Sequence, residues 1–372
     1  MPGGANPGAC RNSIQPKLRS GCQFERFLSR TTTRSVLEKH ILIVGTGSVG
    51  KRHARNLSKL GCNISCVDPR ADRCEELAGE LDVAGVYPNM NEAFSADKSY
   101  DGVVIGSPPA FHVDQSISAL EANIPLLLEK PVSPDLKSAR RLLDVVGDTE
   151  TPLVLGYTWR WWPPLKRVHE LLAEEAIGKI RHVKFSLSAH LADWHPWERY
   201  QDFFMANRAL GGGALLDESH WIDLMIWFFG MPQKLFAMIE HISDLDIDSD
   251  DNVDILLSYE DGLRVSVHLD LYGRPHEKNI RFTGESGTIL WSESPNQISL
   301  SDTPGQEWET EIFNCERNDM FVGVAQEFLS VVGGARPKTC LLNDGVRVLE
   351  VLEAARISHA EERVVQLSEM VA

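Results

Sequence analysis

The stretch HILIVGTGSVG, residues 40–50, decides the fold of the first half of the chain. Its four consecutive apolar residues predict a buried strand, and the G-x-G-x-x-G spacing after them predicts a tight turn into a helix. Gly45 permits the turn, Gly47 lets the backbone approach a pyrophosphate, and Gly50 lets the helix pack closely on the strand. Because the first amides of such a helix face the phosphates, Ser48 and Val49 are also expected to contact a dinucleotide.

Strands and helices alternate from this stretch to about residue 156. The segments NISCV, YDGVVIGSPP, IPLLLEKP and TPLVLGY predict four more strands, with helices between them. Alternation at this spacing is typical of a parallel sheet with helices on both faces. We therefore predict an α/β fold whose N-terminal Rossmann domain covers residues 39–156.

The residue after the second strand bears on the choice of dinucleotide. Asp68 lies 18 residues after Gly50, where a carboxylate accepts hydrogen bonds from the adenosine ribose and repels a 2′-phosphate. Arg70 weakens that preference because its charge attracts a phosphate. NAD is therefore the predicted cofactor, with NADP as the alternative. Further residues of the predicted cofactor site lie at the same edge of the sheet: Ser107, Pro108, His112, Glu129 and Lys130.

The motif EKP, residues 129–131, follows another strand of this domain, and ligands bind at that edge of an α/β sheet. A lysine there can donate a hydrogen bond to a substrate hydroxyl and stabilise negative charge as it develops on the oxygen. The alternative is a lysine in an exposed loop. We predict that Lys130 is catalytic.

The segment LGGGALLDESHWIDLMIW, residues 210–227, places an acid and a histidine in an apolar helix. Asp217 and His220 are three residues apart, so on one helix they reach the same side. Histidine suits removal of a hydroxyl proton because its pKa lies near neutrality, and the aspartate can orient it. The alternative is a capping aspartate with a structural histidine.

The alternation of strands and helices ends after residue 156. A helix is predicted near residues 164–175, followed by the strand-like segment IRHVKFSLSAHL, the glycine-rich helix, and five strand candidates between residues 234 and 291. Two helices, near residues 321–332 and 343–362, close the chain. Residues 157–372 are therefore predicted to form an α+β domain with an antiparallel or mixed sheet.

Composition argues against several other classes of protein. The net charge of −16 argues against a nucleic-acid-binding surface, and no apolar run is long enough to span a membrane. Seven cysteines without a C-x-x-C pair argue against a zinc site, and the acidic segment 244–254 lacks the glycine and glutamate of a calcium loop. We predict no bound metal and a cytoplasmic location.

Residues 1–38 differ from the rest of the chain. The first 37 contain six basic side chains and one acid, and they show no apolar periodicity. This composition is typical of a disordered extension or of an organelle-targeting peptide, so import into an organelle stays open.

Three motifs in order, ILIVGTGSVGKRHARNL, EKP and GGGALLD with its nearby histidine, resemble the glucose–fructose oxidoreductase/inositol dehydrogenase (Gfo/Idh/MocA) family over about residues 40–365. The resemblance implies a Rossmann domain joined to a domain with a large open, mostly antiparallel sheet that binds substrate and forms homodimers or homotetramers. It implies NAD or NADP, a sugar, cyclitol or nucleotide-sugar substrate, and a catalytic set matching Lys130, Asp217 and His220. It also implies that the Lys130–Pro131 bond can be cis. One feature departs from the family, whose usual D-x-x-x-H spacing is D-x-x-H here.

The segment ADWHPWERY, residues 192–200, resembles a subgroup of this family. We interpret it as a substrate loop in which His195 bonds hydroxyls and Trp197 covers a sugar face. Tyr157, Arg160 and Trp161 follow the last Rossmann strand and are expected to line the same cleft, where Arg160 could pair with a carboxylate or phosphate. The alternative for the tryptophans is core packing.

The predicted function is an NAD(P)-dependent oxidoreductase that transfers hydride between a secondary hydroxyl of a sugar-like substrate and nicotinamide. One alternative is an NAD-dependent glycosidase of the same fold, which oxidises its substrate only transiently. The other is a non-catalytic sensor that binds NAD(P).

Overall fold

Six parallel strands form the first sheet of the computed structural model, which describes residues 39–147, 149–194, 198–302, 305 and 308–370. In chain order they are β1 (His40–Val44), β2 (Asn63–Val67), β3 (Val83–Tyr87), β4 (Gly102–Ile105), β5 (Leu126–Glu129) and β6 (Leu153–Gly156). Their spatial order is β3-β2-β1-β4-β5-β6. The order reverses between β1 and β4, so the carboxyl ends of these two strands open the crevice where such sheets bind ligands.

Five helices accompany this sheet: α1 (Ser48–Lys59), α2 (Ala71–Glu80), α3 (Met90–Ser95), α4 (His112–Glu121) and α5 (Leu136–Gly147). The predicted parallel Rossmann sheet is confirmed. The sequence pattern does not predict β3 or α3. Strand β3 (VAGVY) is only half-buried along its length, and its central Ala-Gly pair, which strands disfavour, weakens the strand signal in the sequence.

A second, nine-stranded sheet follows. Its strands are β7 (Ile180–Ser188), β8 (Lys234–Glu240), β9 (Asn252–Ser258), β10 (Arg264–Asp270), β11 (Glu277–Gly284), β12 (Thr288–Ser292), β13 (Gln297–Ser301), β14 (Glu309–Ile312) and β15 (Val365–Gln366). The spatial order is β14-β13-β12-β11-β7-β10-β9-β8-β15, and only β7 and β10 pair in parallel. The predicted large, mostly antiparallel sheet is confirmed, although the pattern does not predict β13 or the edge strand β14 beside it.

The inner face of this sheet is covered by helices α6 (Pro163–Ala173), α7 (Ala214–Asp217) and α8 (His220–Phe229). Aromatic side chains fill the layer between them, and the Trp159 and Trp291 rings meet edge to face at 5.7 Å. Trp221 and Phe282 are almost completely buried in the same layer. Large buried aromatic rings supply much of the apolar area that holds such a layer together.

Two C-terminal helices join the domains: α9 (Arg317–Val332) and α10 (Leu342–Glu361). Helix α9 packs on α1, where the Asn56 and Asn318 side-chain amides donate to each other at 3.2 and 2.9 Å. Helix α10 packs on α5 and β6 of the first domain as well as on β8 of the second sheet. Within the described ranges, no helix is long and apolar enough to cross a membrane.

A buried ion pair also crosses between elements. Arg160 lies in a short 3-10 turn (Thr158–Trp161), and its guanidinium donates to both carboxylate oxygens of Asp223 on α8, the closest at 2.8 Å. It also donates to the carbonyl of Thr339 at 3.0 Å and to Asp344 on α10 at 3.2 Å. Arg160 is 4% exposed and Asp223 is fully buried. The buried guanidinium therefore holds the 3-10 turn, α8 and α10 together.

We expect Arg160→Met to lower the free energy of unfolding by about 3–5 kcal/mol, because it leaves the Asp223 carboxylate buried without a counter-charge. Urea unfolding at neutral pH measures the loss. Arg167→Met is the matched control, since Arg167 pairs with exposed carboxylates on the surface of α6 and should cost less than about 1 kcal/mol. Equal losses for the two variants would contradict the assignment.

Candidate active site

The glycine loop between β1 and α1 has the shape that a dinucleotide requires. Gly45 adopts φ +85, and a Cβ on Gly50 would lie 1.8 Å from the Gly45 carbonyl oxygen. A Cβ on Gly47, by contrast, would meet nothing closer than the Arg73 side chain at 3.8 Å, so the loop backbone is open on that side. No side chain caps the start of α1, which leaves its first amides available for phosphate oxygens. The loop therefore fits a pyrophosphate.

Asp68 lies at the end of β2 beside this loop and is buried. Its carboxylate accepts from the Thr46 amide at 2.8 Å and from the Arg70 amide at 2.9 Å. These bonds hold the carboxylate at the edge of the sheet where a ribose would lie. The Arg70 guanidinium turns toward Asp72 at 2.5 Å on the exposed surface.

Glu129 and His112 brace the end of β5. The His53 ring on α1 hydrogen-bonds Glu129 through Nε2 at 2.6 Å, and the other Glu129 oxygen accepts from the Lys130 amide at 3.3 Å. The fully buried His112 ring lies between the carbonyls of Pro131 and Ser107, at 2.7 and 2.8 Å. The Lys130–Pro131 bond is cis, which the resemblance allowed. Glu129 and His112 therefore bond protein groups, although both are predicted to bind the cofactor.

Ser107 and Pro108 follow β4 at the same edge. The Ser107 hydroxyl donates to Gln115 at 2.5 Å, and Pro108 precedes the turn that leads into α4. Both therefore border the crevice beside β1, where the sequence predicts the cofactor.

Lys130 reaches across from the Rossmann domain to the second domain. Its ammonium donates to the Asp217 carbonyl at 2.6 Å and to the Asp217 carboxylate at 3.0 Å. Burial acts to lower the pKa of Lys130, but the charges of Asp217 and Glu218 outweigh it and raise that pKa above its ordinary value. The lysine is thus a charged donor held between the domains.

The prediction of one continuous helix through Asp217 and His220 is wrong. Helix α7 ends at Asp217 and α8 begins at His220, because the Trp221 amide donates to the Glu218 carbonyl at 3.0 Å. In an uninterrupted α-helix that amide would donate to the Asp217 carbonyl. The tighter turn leaves the Asp217 carbonyl free to accept from Lys130. The break in the helix therefore makes the contact between the domains possible.

His220 lies beside this contact and is half-buried. Its Nδ1 is buried and has no hydrogen-bond partner in the described part of the chain. The Tyr157 ring meets the imidazole edge to face at 5.6 Å. Burial, followed by the charges of Lys130, Arg317 and Lys278, holds the pKa of His220 well below 6.5. The imidazole is therefore neutral at physiological pH and can accept a proton.

Three charged residues near His220 are not predicted from the sequence: Glu218, Lys278 and Arg317. Glu218 is 8% exposed, and burial followed by the charge of Asp217 raises its pKa to about 7. A carboxylate inside an apolar helix is the signal that could have identified it. No sequence signal identifies Lys278, because a lysine in a strand normally points to solvent.

The predicted substrate residues lie in different places. Tyr157 is fully buried and donates to the Ser219 hydroxyl at 3.3 Å, beneath His220. The Arg160 guanidinium is paired with the Asp223 carboxylate, and Trp161 is buried against Gly323 of α9. The structure therefore does not bring Arg160 or Trp161 to the contact between Lys130 and Asp217. His195 and Trp197 lie outside the described residues.

A dinucleotide-binding Rossmann domain whose lysine meets an aspartate–histidine segment of an open-sheet domain defines a class of two-domain oxidoreductases. Residues 39–157 match the model of the oxidoreductase family with an NAD-binding Rossmann fold, and residues 165–290 match the GFO/IDH/MocA C-terminal domain. The chain belongs to the GFO/IDH/MocA family of oxidoreductases, as the resemblance implied.

Several relatives can be compared over much of their length. Myo-inositol 2-dehydrogenase of Thermotoga maritima is 25% identical over 342 residues, covering 88% of this chain and 98% of that protein. The rhizopine catabolism protein MocA of Rhizobium meliloti is 26% identical, with coverages of 84% and 92%. The match to an uncharacterized oxidoreductase of Synechocystis is shorter. It is 29% identical over 168 residues, which cover 44% of this chain and 44% of that protein.

Solved structures share the fold. A levoglucosan dehydrogenase in complex with NADH superposes with a TM-score of 0.80 at 17% identity, covering 89% of this chain and 99% of that one. Myo-inositol 2-dehydrogenase of Lactobacillus plantarum gives 0.76 at 21% identity, with coverages of 88% and 99%. These similarities establish the shared two-domain architecture.

Glu218 predicts a pH dependence of stability. Its folded pKa of about 7 exceeds the ordinary 4.5, so the folded protein keeps a proton that the unfolded chain loses between these values. Stability should therefore fall as pH rises from about 4.5 to 7. Glu218→Gln, which cannot ionise, should remove this dependence and be more stable than wild type at pH 8 by on the order of 2–3 kcal/mol.

Urea unfolding of both proteins between pH 5 and pH 8 measures this difference. Parallel pH profiles for wild type and Glu218→Gln would contradict it. Glu92→Gln, on the exposed surface of α3, serves as the control and should leave the profile unchanged.

Proposed function

We propose that this protein is an NAD(P)-dependent dehydrogenase that oxidises a secondary hydroxyl of a sugar, cyclitol or nucleotide-sugar. The observation that carries the proposal is the bond from Lys130 of the dinucleotide-binding domain to Asp217, next to the neutral His220. A charged donor and a proton acceptor thus flank one position at the crevice of a dinucleotide-binding sheet.

The residues divide the reaction between them. The Lys130 ammonium donates to the substrate oxygen and stabilises the negative charge that develops there. His220 accepts the hydroxyl proton, and Nε2 is the ring nitrogen left for this task because Nδ1 is buried. Asp217 holds the lysine in position. A dinucleotide held by the glycine loop and Asp68 would supply the acceptor for the hydride that leaves the substrate carbon as the hydroxyl becomes a carbonyl.

Support for the substrate class comes from the relatives, which include inositol and xylose dehydrogenases. We retain His195 and Trp197 as substrate contacts from the sequence, together with the domain boundary at residue 156. The expected homodimer or homotetramer also belongs to the proposal. Met238 and Leu256, on the outer face of the second sheet, are 45% and 62% exposed and suit a contact with a second copy, which light scattering would detect.

Lys130→Met should lower kcat by about 10²–10⁴-fold, because it removes the donor to the developing oxyanion. NAD affinity, measured by calorimetry, should change little, since the glycine loop is untouched. Lys137→Met, on the exposed surface of α5, is the control and should be as active as wild type. A Lys130→Met enzyme with near-normal turnover of inositols and aldoses would refute the proposal.

The buried Asp68 carboxylate supports a preference for NAD. We expect kcat/KM to be higher with NAD than with NADP by at least about tenfold, because a 2′-phosphate would meet this negative charge. Asp68→Ser should reduce the ratio of kcat/KM with NAD to kcat/KM with NADP, because it weakens NAD binding and removes the repulsion of the 2′-phosphate. A wild-type enzyme that prefers NADP would show that Asp68 does not bind the ribose.

A further inference from the structure

The Arg73 guanidinium borders the open side of the glycine loop. Arg73 lies in the first turn of α2 and is half-buried. Outside the residues next to Gly47, its Nη1 is the nearest described atom to the position that a Cβ on Gly47 would occupy, at 3.8 Å. The second glycine of this motif is the one at which the backbone approaches a pyrophosphate. A side chain of another helix therefore brings a positive charge to the place where the phosphates of a dinucleotide would lie.

This guanidinium has no hydrogen-bond or ion-pair partner among the residues that the structure describes. A shortage of acids does not explain the lack, because the chain has 53 acidic side chains against 37 lysines and arginines. Within α2 and its N-cap, the side chains that can reach Arg73 lie three or four positions away, at Arg70, Glu76 and Leu77. Whether Arg73 is paired therefore depends on what these three side chains contact.

Each of these neighbours makes its contacts elsewhere. The Glu76 carboxylate pairs with the Lys51 ammonium of α1. Leu77 is completely buried in the core, and the Arg70 guanidinium pairs with Asp72. Glu76 is the only acid of the three, so its pairing with α1 leaves Arg73 without a partner on its own helix.

Other acids near α2 do not pair with Arg73 either. The Asp68 carboxylate accepts from backbone amides at the edge of the sheet where a ribose would lie. Glu198 of the second domain acts on the charge of Arg70. Glu75 is two positions from Arg73 and so lies on a different side of the helix. The charge of Arg73 is therefore not matched by any of the described acids at hydrogen-bond or ion-pair distance.

We infer that Arg73 binds the diphosphate of the dinucleotide at the glycine loop. Phosphate oxygens that contact the first amides of α1 would meet the guanidinium on the side that Gly47 leaves open. A guanidinium suits this task because its planar set of donors can bond two phosphate oxygens at once and stays charged at any physiological pH. The phosphates would in turn supply the counter-charge that the described side chains do not. The inference concerns the binding of the cofactor and does not depend on the proposed turnover.

The assignment separates two tasks in the cofactor site. Asp68 lies at the ribose end, where NAD and NADP differ, whereas Arg73 lies at the diphosphate, which both share. Arg73 is therefore expected to raise the affinity for either dinucleotide without choosing between them. The sequence favours Arg70 as the arginine of this site, but the unpaired arginine is three residues further along α2.

The test measures binding without turnover. Calorimetry gives Kd for NADH, NADPH, ADP and adenosine with wild type and with Arg73→Met, and only adenosine lacks the 5′-diphosphate. We expect Arg73→Met to weaken the three diphosphates by on the order of tenfold, because a charge-assisted contact is lost, and to change adenosine binding less than about twofold. The Kd of NADH should also depend less on salt concentration in the variant, since one pair of opposite charges is missing.

Two further variants serve as controls. Arg73→Lys keeps the charge and should lose less affinity than Arg73→Met. Arg55→Met removes an exposed arginine of α1 that pairs with Glu80, and it should leave all four affinities unchanged.

Unchanged binding of NADH and ADP by Arg73→Met would overturn the inference. A loss confined to NADPH would also overturn it and assign Arg73 to the 2′-phosphate, and an equal loss for adenosine would assign Arg73 to the adenine ring. Failure of the proposed dehydrogenase is a separate result. It would show as unchanged turnover in Lys130→Met and would leave these four affinities as they are.

Discussion

The structure depends on one contact, from the Lys130 ammonium to the carbonyl and carboxylate of Asp217. It joins a lysine at the end of a Rossmann strand to a helix of the other domain, so its geometry requires both domains to fold and to meet. The contact also explains the break between α7 and α8. An α-helical Asp217 carbonyl would be occupied by the Trp221 amide, and the 3-10-like turn at Glu218 leaves it free to accept from the lysine.

Buried polar pairs support this contact from below. The hydrogen bond between His53 and Glu129 fixes the strand end that carries Lys130, and the His112 ring ties Pro131 to the loop after β4. Arg160, with Asp223 and Asp344, fixes α8 and α10 behind His220. Burying either partner of such a pair alone would cost free energy. The hydrogen bonds within each pair offset that cost and hold two elements at a set distance. Residues that resemble ligand contacts in the sequence are therefore used to position those that face the cleft.

The ionisable groups at the proposed active site have different protonation states because of where they lie. Lys130 stays charged beside Asp217, His220 stays neutral among cations, and Glu218 titrates near neutrality because it is buried. A charged donor next to a neutral acceptor is the combination that removal of a hydroxyl proton needs.

The sequence by itself determined the Rossmann domain. Glycine spacing, apolar runs and their alternation are local patterns, and each specifies the backbone conformation of its own segment. It also predicted Lys130, Asp217 and His220 as a catalytic set, since each lies in a short motif of the family that the chain resembles. The places of Arg160 and Trp161 were decided only by tertiary structure, because the same side chain can line a cleft or pair inside the protein depending on which helix packs over it. Glu218 did have a signal in the sequence, a carboxylate inside an apolar helix, but its raised pKa was decided by tertiary structure, because burial depends on what packs over the side chain. Lys278 and Arg317 come from separate segments, and their charges act on His220 only in the folded protein.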